Sequence, residues 1–229
     1  MSLQITGADE VLKALENGVE IKLVLVDREE DCTEIIQMCE SRNIPVTEGS
    51  STDLWRMSAN GQQKALALIG REPKGTLEEV FEREGVIWLF DGVEYAPNLG
   101  FGVRTAEVSG ATAVIINVNK THEERRTIRR AGMRATRFIP VVYATTEEIL
   151  AACNRRIVVA EDIGEKAPWD ADLTGNVLLV VGAENAGVSK EVLDAADDIV
   201  RLPMPGFVPS YNLQVAVSAL AIERLRQLE

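Results

Sequence analysis

The sequence predicts an α/β protein in which a small α/β domain precedes a larger domain with a mainly parallel β-sheet. Runs of apolar residues that are typical of buried strands alternate with segments of helical periodicity along most of the chain. This alternation stops at residues 71–75, a polar stretch that contains both Pro and Gly and has the composition of a linker. A chain of 229 residues is long enough for two such domains. We therefore expect domains at 1–70 and 85–229, with a linker over 71–84.

The first domain is predicted from a strand-to-helix step followed by shorter elements. Residues 21–26 are an apolar strand candidate, and the next segment places Cys32, Ile35 and Cys39 at helical spacing behind Asp31, which is suited to capping a helix. The remaining elements are expected as strands at 44–46 and 65–69 and a helix near 53–57. Within that helix, Trp55 is expected to pack in the core, and stacking on a base is its alternative role.

The second domain is predicted from the same alternation, which restarts at residue 86. Its expected strands are 86–90, 112–117, 157–160, 177–181 and 199–202, and its expected helices are 99–109, 146–154, 190–196 and 212–228. Strands that alternate with helices form parallel sheets, because each helix returns the chain to the same end of the sheet.

The chain is acidic, with one basic segment. Its formal net charge of −12 argues against indiscriminate binding of nucleic acid. Residues 120–137 are the exception, because they contain seven Lys or Arg residues and two Glu residues. This segment is either a solvated helix face or a surface for phosphate groups. The candidate RNA contacts in it are Arg125, Arg126, Arg129 and Arg130.

Cysteine and histidine usage points away from metal sites and disulfides. The three cysteines and the single histidine lack metal-ligand spacing, and an odd number of cysteines gives no disulfide framework. No apolar run has the length of a membrane span, and the first residues do not resemble a secretory signal. We therefore expect a soluble, cytoplasmic protein without a metal or a membrane partner.

Three segments of the larger domain follow apolar strand candidates, which is where α/β proteins bind ligands. They are 98–106, 182–187 and 210–213. In the second segment, Gly182, Glu184 and Gly187 have the spacing of the dinucleotide motif G-x-G-x-x-G. Glu184 stands where that motif needs a glycine to let a pyrophosphate approach, so a dinucleotide-dependent oxidoreductase is disfavoured. The alternative is that the glycines only shape a tight turn and Glu184 is solvated.

Taken in order, these segments resemble the three motifs of the SpoU (TrmH-type) RNA ribose methyltransferases of the SPOUT superfamily. The matching residues are Asn98-Leu99-Gly100 with Arg104-Thr105-Ala106, then Gly182-x-Glu184-x-x-Gly187-x-Ser189, then Leu202-Pro203-Met204 followed by Ser210-x-Asn212. The resemblance covers residues 86–229. The N-terminal domain resembles the small RNA-binding domain that precedes the catalytic domain in many members.

This resemblance implies a trefoil-knotted methyltransferase domain, a homodimer, and S-adenosyl-L-methionine as the methyl donor. The acceptor would be a ribose 2′-hydroxyl of structured rRNA or tRNA, with rRNA slightly favoured. The implied cofactor contacts are Gly182, Leu202 and Tyr211. The implied catalytic residues are Asn98, Arg104, Glu184, Ser210 and Asn212. A catalytically silent RNA-binding relative of the same fold is the alternative function.

Several individual roles stay open at this point. Arg104 either activates the hydroxyl or clamps a phosphate group, because a guanidinium stays protonated at neutral pH and is therefore a poor base. Asn98 and Ser210 are each also placed to cap the helix that follows them.

The chain also departs from the family at three positions. It has Tyr211 where Leu is usual, Gln214 where a small Ser is usual, and Arg134 where many members have glycine. A tyrosine beside the cofactor either stacks on adenine or narrows the pocket.

Overall fold

A computed structural model describes residues 3–61, 64–207 and 210–229, and the chain divides into two units, Met1–Pro73 and Lys74–Glu229. The first unit contains a four-stranded sheet with the order β1-β4-β2-β3, in which only β2 and β3 are parallel. Its elements are β1 (Gln4–Thr6), α1 (Ala8–Glu16), β2 (Ile21–Asp27), α2 (Thr33–Ser41), β3 (Val46–Gly49), α3 (Ser51–Met57) and β4 (Ala65–Ile69).

The core of the first unit lies between its sheet and the helices α1 and α2, where Leu15, Val24 and Ile35 pack together. Neither β1 nor α1 was expected from the sequence. The expected packing of Trp55 is wrong, because its side chain on α3 is 54% exposed.

The second unit contains a six-stranded sheet, and every neighbouring pair of its strands is parallel. Its strands are β5 (Val86–Asp91), β6 (Ala113–Ile116), β7 (Val141–Tyr143), β8 (Arg156–Ala160), β9 (Val177–Gly182) and β10 (Asp198–Val200). Its α-helices are α4 (Leu77–Glu82), α5 (Ala96–Val108), α6 (His122–Ala131), α7 (Thr146–Ala152), α8 (Lys190–Asp194) and α9 (Leu213–Gln227). The strand order is β10-β8-β9-β5-β6-β7. The prediction of an α/β fold with a mainly parallel sheet is confirmed.

Helices cover both faces of this sheet, as the strand sequences require. Side chains alternate between faces along a strand, and both sets are apolar in β5. Trp88 and Phe90 pack on one side with α5, α6 and α9, whereas Ile87 and Leu89 pack on the other side with α4, α7 and α8. Trp88 is fully buried in this arrangement.

The segment 71–84, which is predicted to be a linker, contains a helix. Residues Leu77–Glu82 form α4, because Thr76 and Glu79 close a capping box at its start, and Val80 and Phe81 are buried in the second unit. The strand β7 also had no predicted counterpart, since three residues are too few to show a period. The trefoil knot stays a prediction, and residues 208–209, which precede the third motif, lie outside the described part of the chain.

Candidate active site

The sheet of the second unit has its topological switch point between β5 and β9. From β5 the chain moves outward through β6 to β7, and the later strands β8, β9 and β10 lie on the opposite side of β5. Loops that follow β5 and β9 therefore diverge and leave a crevice at the carboxyl ends of these strands, which is where open α/β sheets bind ligands.

Asp91 ties the loops around this crevice together. It ends β5, and its buried carboxylate accepts a hydrogen bond from the backbone N–H of Ser189 at 2.5 Å and another from the Asn117 side chain. Asn117 in turn accepts from the Gly92 N–H at 2.7 Å and donates to the Thr146 hydroxyl at 3.0 Å. The ends of β5 and β6, the start of α7 and the loop after β9 are thus held in one network.

Asp91 and Asn117 were not predicted from the sequence as site residues. A signal for both was present, because each is a polar residue directly after an apolar strand run, the position at which ligand-edge residues occur. Neither belongs to the three motifs, so neither was singled out.

The glycines of the second motif are explained by the shape of its loop. Ala183 and Gly187 exchange two backbone hydrogen bonds, at 2.9 and 3.1 Å. A Cβ at Gly182 would overlap the backbone of Gly187 and Val188, and Gly187 itself has a φ of 67°. Glu161, which follows β8, accepts from the Val188 N–H at 2.5 Å. The loop is therefore fixed by backbone geometry and by two carboxylates from neighbouring strands, Asp91 and Glu161.

The structure brings two of the predicted catalytic residues together. The Asn98 side chain donates its amide N–H to the Glu184 carboxylate, which joins the first motif to the second. Asn98 is buried, whereas Glu184 is exposed apart from this contact. The helix α5 begins at Ala96 with Tyr95 as its N-cap, so the alternative role of Asn98 as a cap is wrong. Glu184 is not merely solvated, since it is the partner of Asn98.

Arg104 lies on a different side of α5 from Asn98. Six residues separate them, which corresponds to about 9 Å along the axis and about 120° around it. The Arg104 side chain is exposed and lines a groove of about 320 Å³ between α5 and α9, together with Phe101, Gln214 and Ile222. Gln214, one of the departures from the family, thus lies beside Arg104.

The third motif forms the approach to α9. Asn212 is the N-cap of α9 and its side chain accepts from the Gln214 N–H at 2.9 Å, so the alternative role of Ser210 as the cap is wrong. The Tyr211 hydroxyl donates to the Pro203 carbonyl at 2.9 Å, which places the tyrosine beside Leu202. Ser210 and Asn212 are exposed. None of the described contacts joins this segment to Asn98 or Glu184.

The predicted cofactor contacts suit a nucleoside with few charged groups. Gly182 has no room for a side chain, so only backbone is available there. Leu202 is half-buried after β10 and Tyr211 is 46% exposed next to it, so apolar surface is available for a purine ring. β8 lies between β9 and β10, so Gly182 and Leu202 belong to strand ends about 10 Å apart. Backbone groups with apolar neighbours therefore fit the adenosine part of S-adenosylmethionine.

The basic segment divides into two parts. Arg126, Arg129 and Arg130 line one depression on α6. Arg125 lies apart from them, because its guanidinium stacks over the Tyr143 ring at 4.1 Å and its Nε donates to the Lys120 carbonyl at 3.1 Å. Burial raises the pKa of Tyr143, although the two nearby arginines, Arg125 and Arg129, oppose that shift.

The described residues contain neither a metal-binding cluster nor a membrane-spanning helix. Among residues 3–61, 64–207 and 210–229, no three His, Cys, Asp or Glu side chains are grouped so as to hold a metal ion. Within the same residues no helix has the length and apolar character needed to cross a membrane.

Comparison with known proteins assigns the second unit to a family. The model of the SpoU rRNA Methylase family matches residues 85–222. A 23S rRNA (guanosine-2′-O-)-methyltransferase of Pseudomonas aeruginosa is 32% identical over 84% of this chain and 82% of its own length. The corresponding protein of Xanthomonas campestris is 28% identical over 97% of this chain and 96% of its own. An AdoMet-bound rRNA methyltransferase structure from Sinorhizobium meliloti shares the fold, with a TM-score of 0.64, 24% identity, and coverage of 99% of this chain and 88% of that one. This chain therefore belongs to the SpoU rRNA methylase family.

Proposed function

We propose that this protein is a cytoplasmic, S-adenosylmethionine-dependent methyltransferase that modifies a ribose 2′-hydroxyl of ribosomal RNA. The observation that carries the proposal is the hydrogen bond between Asn98 and Glu184, which joins two family motifs at the switch-point crevice. The names of the relatives in Pseudomonas and Xanthomonas favour rRNA over tRNA.

The chemistry requires that a weak nucleophile be positioned and relieved of its proton. The ribose O–H bond breaks and its proton passes to water, an O–CH₃ bond forms, and the C–S bond breaks with its electron pair left on sulfur, which becomes a neutral thioether. Bound S-adenosylmethionine supplies an electrophilic methyl group. Because the Asn98 amide N–H is directed at Glu184, its Oδ1 remains as an acceptor for a ribose hydroxyl. Arg104 would hold the adjacent phosphate and orient the hydroxyl, as a guanidinium does well.

A homodimer would account for the position of Arg104. The helices α5 and α9 present an apolar face around Arg104, on which Val108 is 74% exposed and Ile222 is 66% exposed. Exposed apolar side chains grouped in this way mark protein interfaces. A second copy related by two-fold symmetry would cover this face and bring Arg104 to the Asn98–Glu184 pair of its partner.

Complementation between two inactive variants tests this arrangement. Asn98→Ala and Arg104→Ala are each expected to lose methyl transfer while binding S-adenosylmethionine as the wild type does. If Arg104 acts across the interface, random mixing after dissociation gives about half mixed dimers, each with one intact site, and so about a quarter of wild-type activity. A mixture that stays inactive would contradict the shared site.

The first unit would help to select the RNA. Trp55 on α3 is 54% exposed and the next residue, Arg56, is also exposed, so this helix offers an aromatic ring and a cation to solvent. Exposed aromatic side chains stack on unpaired RNA bases.

The decisive experiment is transfer of radiolabelled methyl groups from S-adenosylmethionine to unmodified total RNA, separated into ribosomal and transfer pools. Label on a 2′-hydroxyl of rRNA is expected. Label confined to tRNA would refute the substrate class. RNA binding without any transfer to naked RNA or to ribosomal subunits would identify a catalytically silent relative instead.

A further inference from the structure

The surface of α6 carries a dense group of positive side chains that the methyl-transfer reaction itself does not use. We call it the arginine cluster. Six residues line its depression of about 380 Å³, namely His122, Arg126, Arg129, Arg130, Arg134 and Arg137. The first four recur along α6 at intervals of four, three and one residues and therefore share a helix face. The other two, Arg134 and Arg137, belong to the segment that follows this helix.

None of the described residues that line this depression is acidic. The acidic residues of α6 lie in its first turn, where Glu124 closes a capping box with Thr121 and contacts Lys120 at 3.5 Å. Within the described parts of the chain, the side chains of Arg126, Arg129 and Arg130 have neither a hydrogen-bond acceptor nor an ion-pair partner. Like charges one helical turn apart repel each other, so the cluster is stabilised when an anion enters it.

Arg134 reaches the cluster from an unfavourable backbone conformation. Its φ and ψ are 64° and 17°, in the left-handed region, and Met133 before it has a φ of 48°. Two consecutive left-handed residues with side chains are rare because Cβ crowds the backbone, and glycine would fit both positions without this strain. A long cationic side chain at such a position indicates that the side chain is needed there.

Close helix packing places this cluster beside the candidate site. A Cβ at Gly132 would lie 2.7 Å from the Gly100 carbonyl, and one at Gly100 would lie 2.6 Å from the Ile128 carbonyl. The end of α6 therefore contacts α5 between Asn98 and Arg104. An RNA strand that delivers its ribose to Asn98 therefore has its neighbouring phosphates close to the cluster.

We propose that the arginine cluster binds the phosphate backbone of the RNA substrate and that Arg134 adopts its left-handed conformation to complete this site. The inference rests on the proposed function, because it takes RNA as the substrate. It adds His122, Arg134 and Arg137 to the contacts expected from sequence and leaves out Arg125.

The test compares Arg134→Gly with Met133→Gly in the full-length protein. Both substitutions relieve a left-handed residue, but only the first removes a charge. Binding of an unmodified, transcribed 23S rRNA is followed by fluorescence anisotropy between 50 and 200 mM salt. Arg134→Gly is expected to lower the slope of log affinity against log salt by about 0.7 to 0.9, so its binding defect grows about threefold when salt falls from 200 to 50 mM. Met133→Gly is expected to match the wild type.

Three controls separate this inference from the proposed function. The circular dichroism spectrum of Arg134→Gly should match that of the wild type, which excludes misfolding as the cause of weaker binding. Lys74→Ala removes an exposed charge outside the cluster and should leave the salt slope unchanged. S-adenosylmethionine affinity, measured by calorimetry, should be the same in all variants.

The outcomes are distinguishable. In one outcome the wild type methylates RNA, and both Arg134→Gly and the double variant Arg129→Ala/Arg130→Ala keep the RNA affinity and salt slope of the wild type. That outcome would overturn the role of the arginine cluster and leave the proposed function intact. A wild type without methyl transfer, together with a reduced slope for Arg134→Gly, would support the cluster and refute the proposed function.

Discussion

Replacement of Asp91 by Asn tests whether the carboxylate holds the crevice together. Its two oxygens accept from the Ser189 N–H and the Asn117 amide, and its side chain is almost fully buried. Asn offers only one oxygen, so its own amide N–H would face one of these donors. A buried donor left unpaired costs about 1–3 kcal/mol, and loss of charge assistance in the remaining bond costs about 1 more. Removal of a buried charge offsets part of this cost, so the free energy of unfolding should fall by about 2 kcal/mol.

The assay is urea unfolding followed by tryptophan fluorescence in a Trp55→Phe background. The remaining tryptophans, Trp88 and Trp169, both belong to the second unit, so the signal reports that unit alone. With a urea dependence of about 2 kcal/mol per molar, the midpoint should fall by about 1 M. Asp162→Asn, an exposed carboxylate nearby, is the matched control. If both variants shift the midpoint equally, the Asp91 contacts do not hold the loops.

Three further results are expected. Tyr211→Asp should weaken S-adenosylmethionine binding at least tenfold, as measured by calorimetry. Tyr211→Phe loses only the hydrogen bond to Pro203 and should weaken binding about two- to tenfold. Equal affinities for Tyr211→Asp and the wild type would show that Tyr211 does not line the pocket. Ile222→Asp should convert a dimer to a monomer in sedimentation, while Val19→Asp on the first unit should not; a dimer that survives Ile222→Asp would place the interface elsewhere. The backbone N–H and hydroxyl of Thr121 lower the pKa of Glu124 from its ordinary value. This cap should therefore persist at neutral pH and be lost as the pH falls through the lowered pKa of Glu124 in the folded protein. An NMR titration in which Glu124 has its ordinary midpoint would contradict the capping contact.

The long elements of the second unit were predictable because their apolar runs leave little choice of structure. The strands expected at 86–90, 157–160 and 177–181 agree with β5, β8 and β9 to within one residue. The helix α4 inside the predicted linker was not predictable in the same way. Its signals are the capping box of Thr76 and Glu79 and the buried Val80 and Phe81, and the polar composition of residues 71–75 obscured them.

The candidate site was predictable only where its residues belong to motifs. Asn98 and Glu184 were expected to act in one site, and the structure adds the hydrogen bond between them. Asp91 was not predicted because it lies outside the three motifs, although it directly follows an apolar strand, and its partner Ser189 is distant in sequence. Arg125 was grouped with Arg126 on charge alone, and its stacking on Tyr143 depends on a tertiary contact that a linear charge count does not contain.

Helix α5 contributes to a different proposed function on each of three sides. Near its start, Asn98 faces the crevice and Glu184. In its middle, Gly100 has no side chain and lets α6 approach to backbone contact distance. The arginine cluster lies on α6 and is thereby held next to α5. Farther along, Arg104 and Val108 face the groove shared with α9. A side chain at Gly100 would push α6 away without touching the crevice or the groove. Gly100→Ala should therefore weaken RNA binding more than cofactor binding, because only the arginine cluster depends on that close approach.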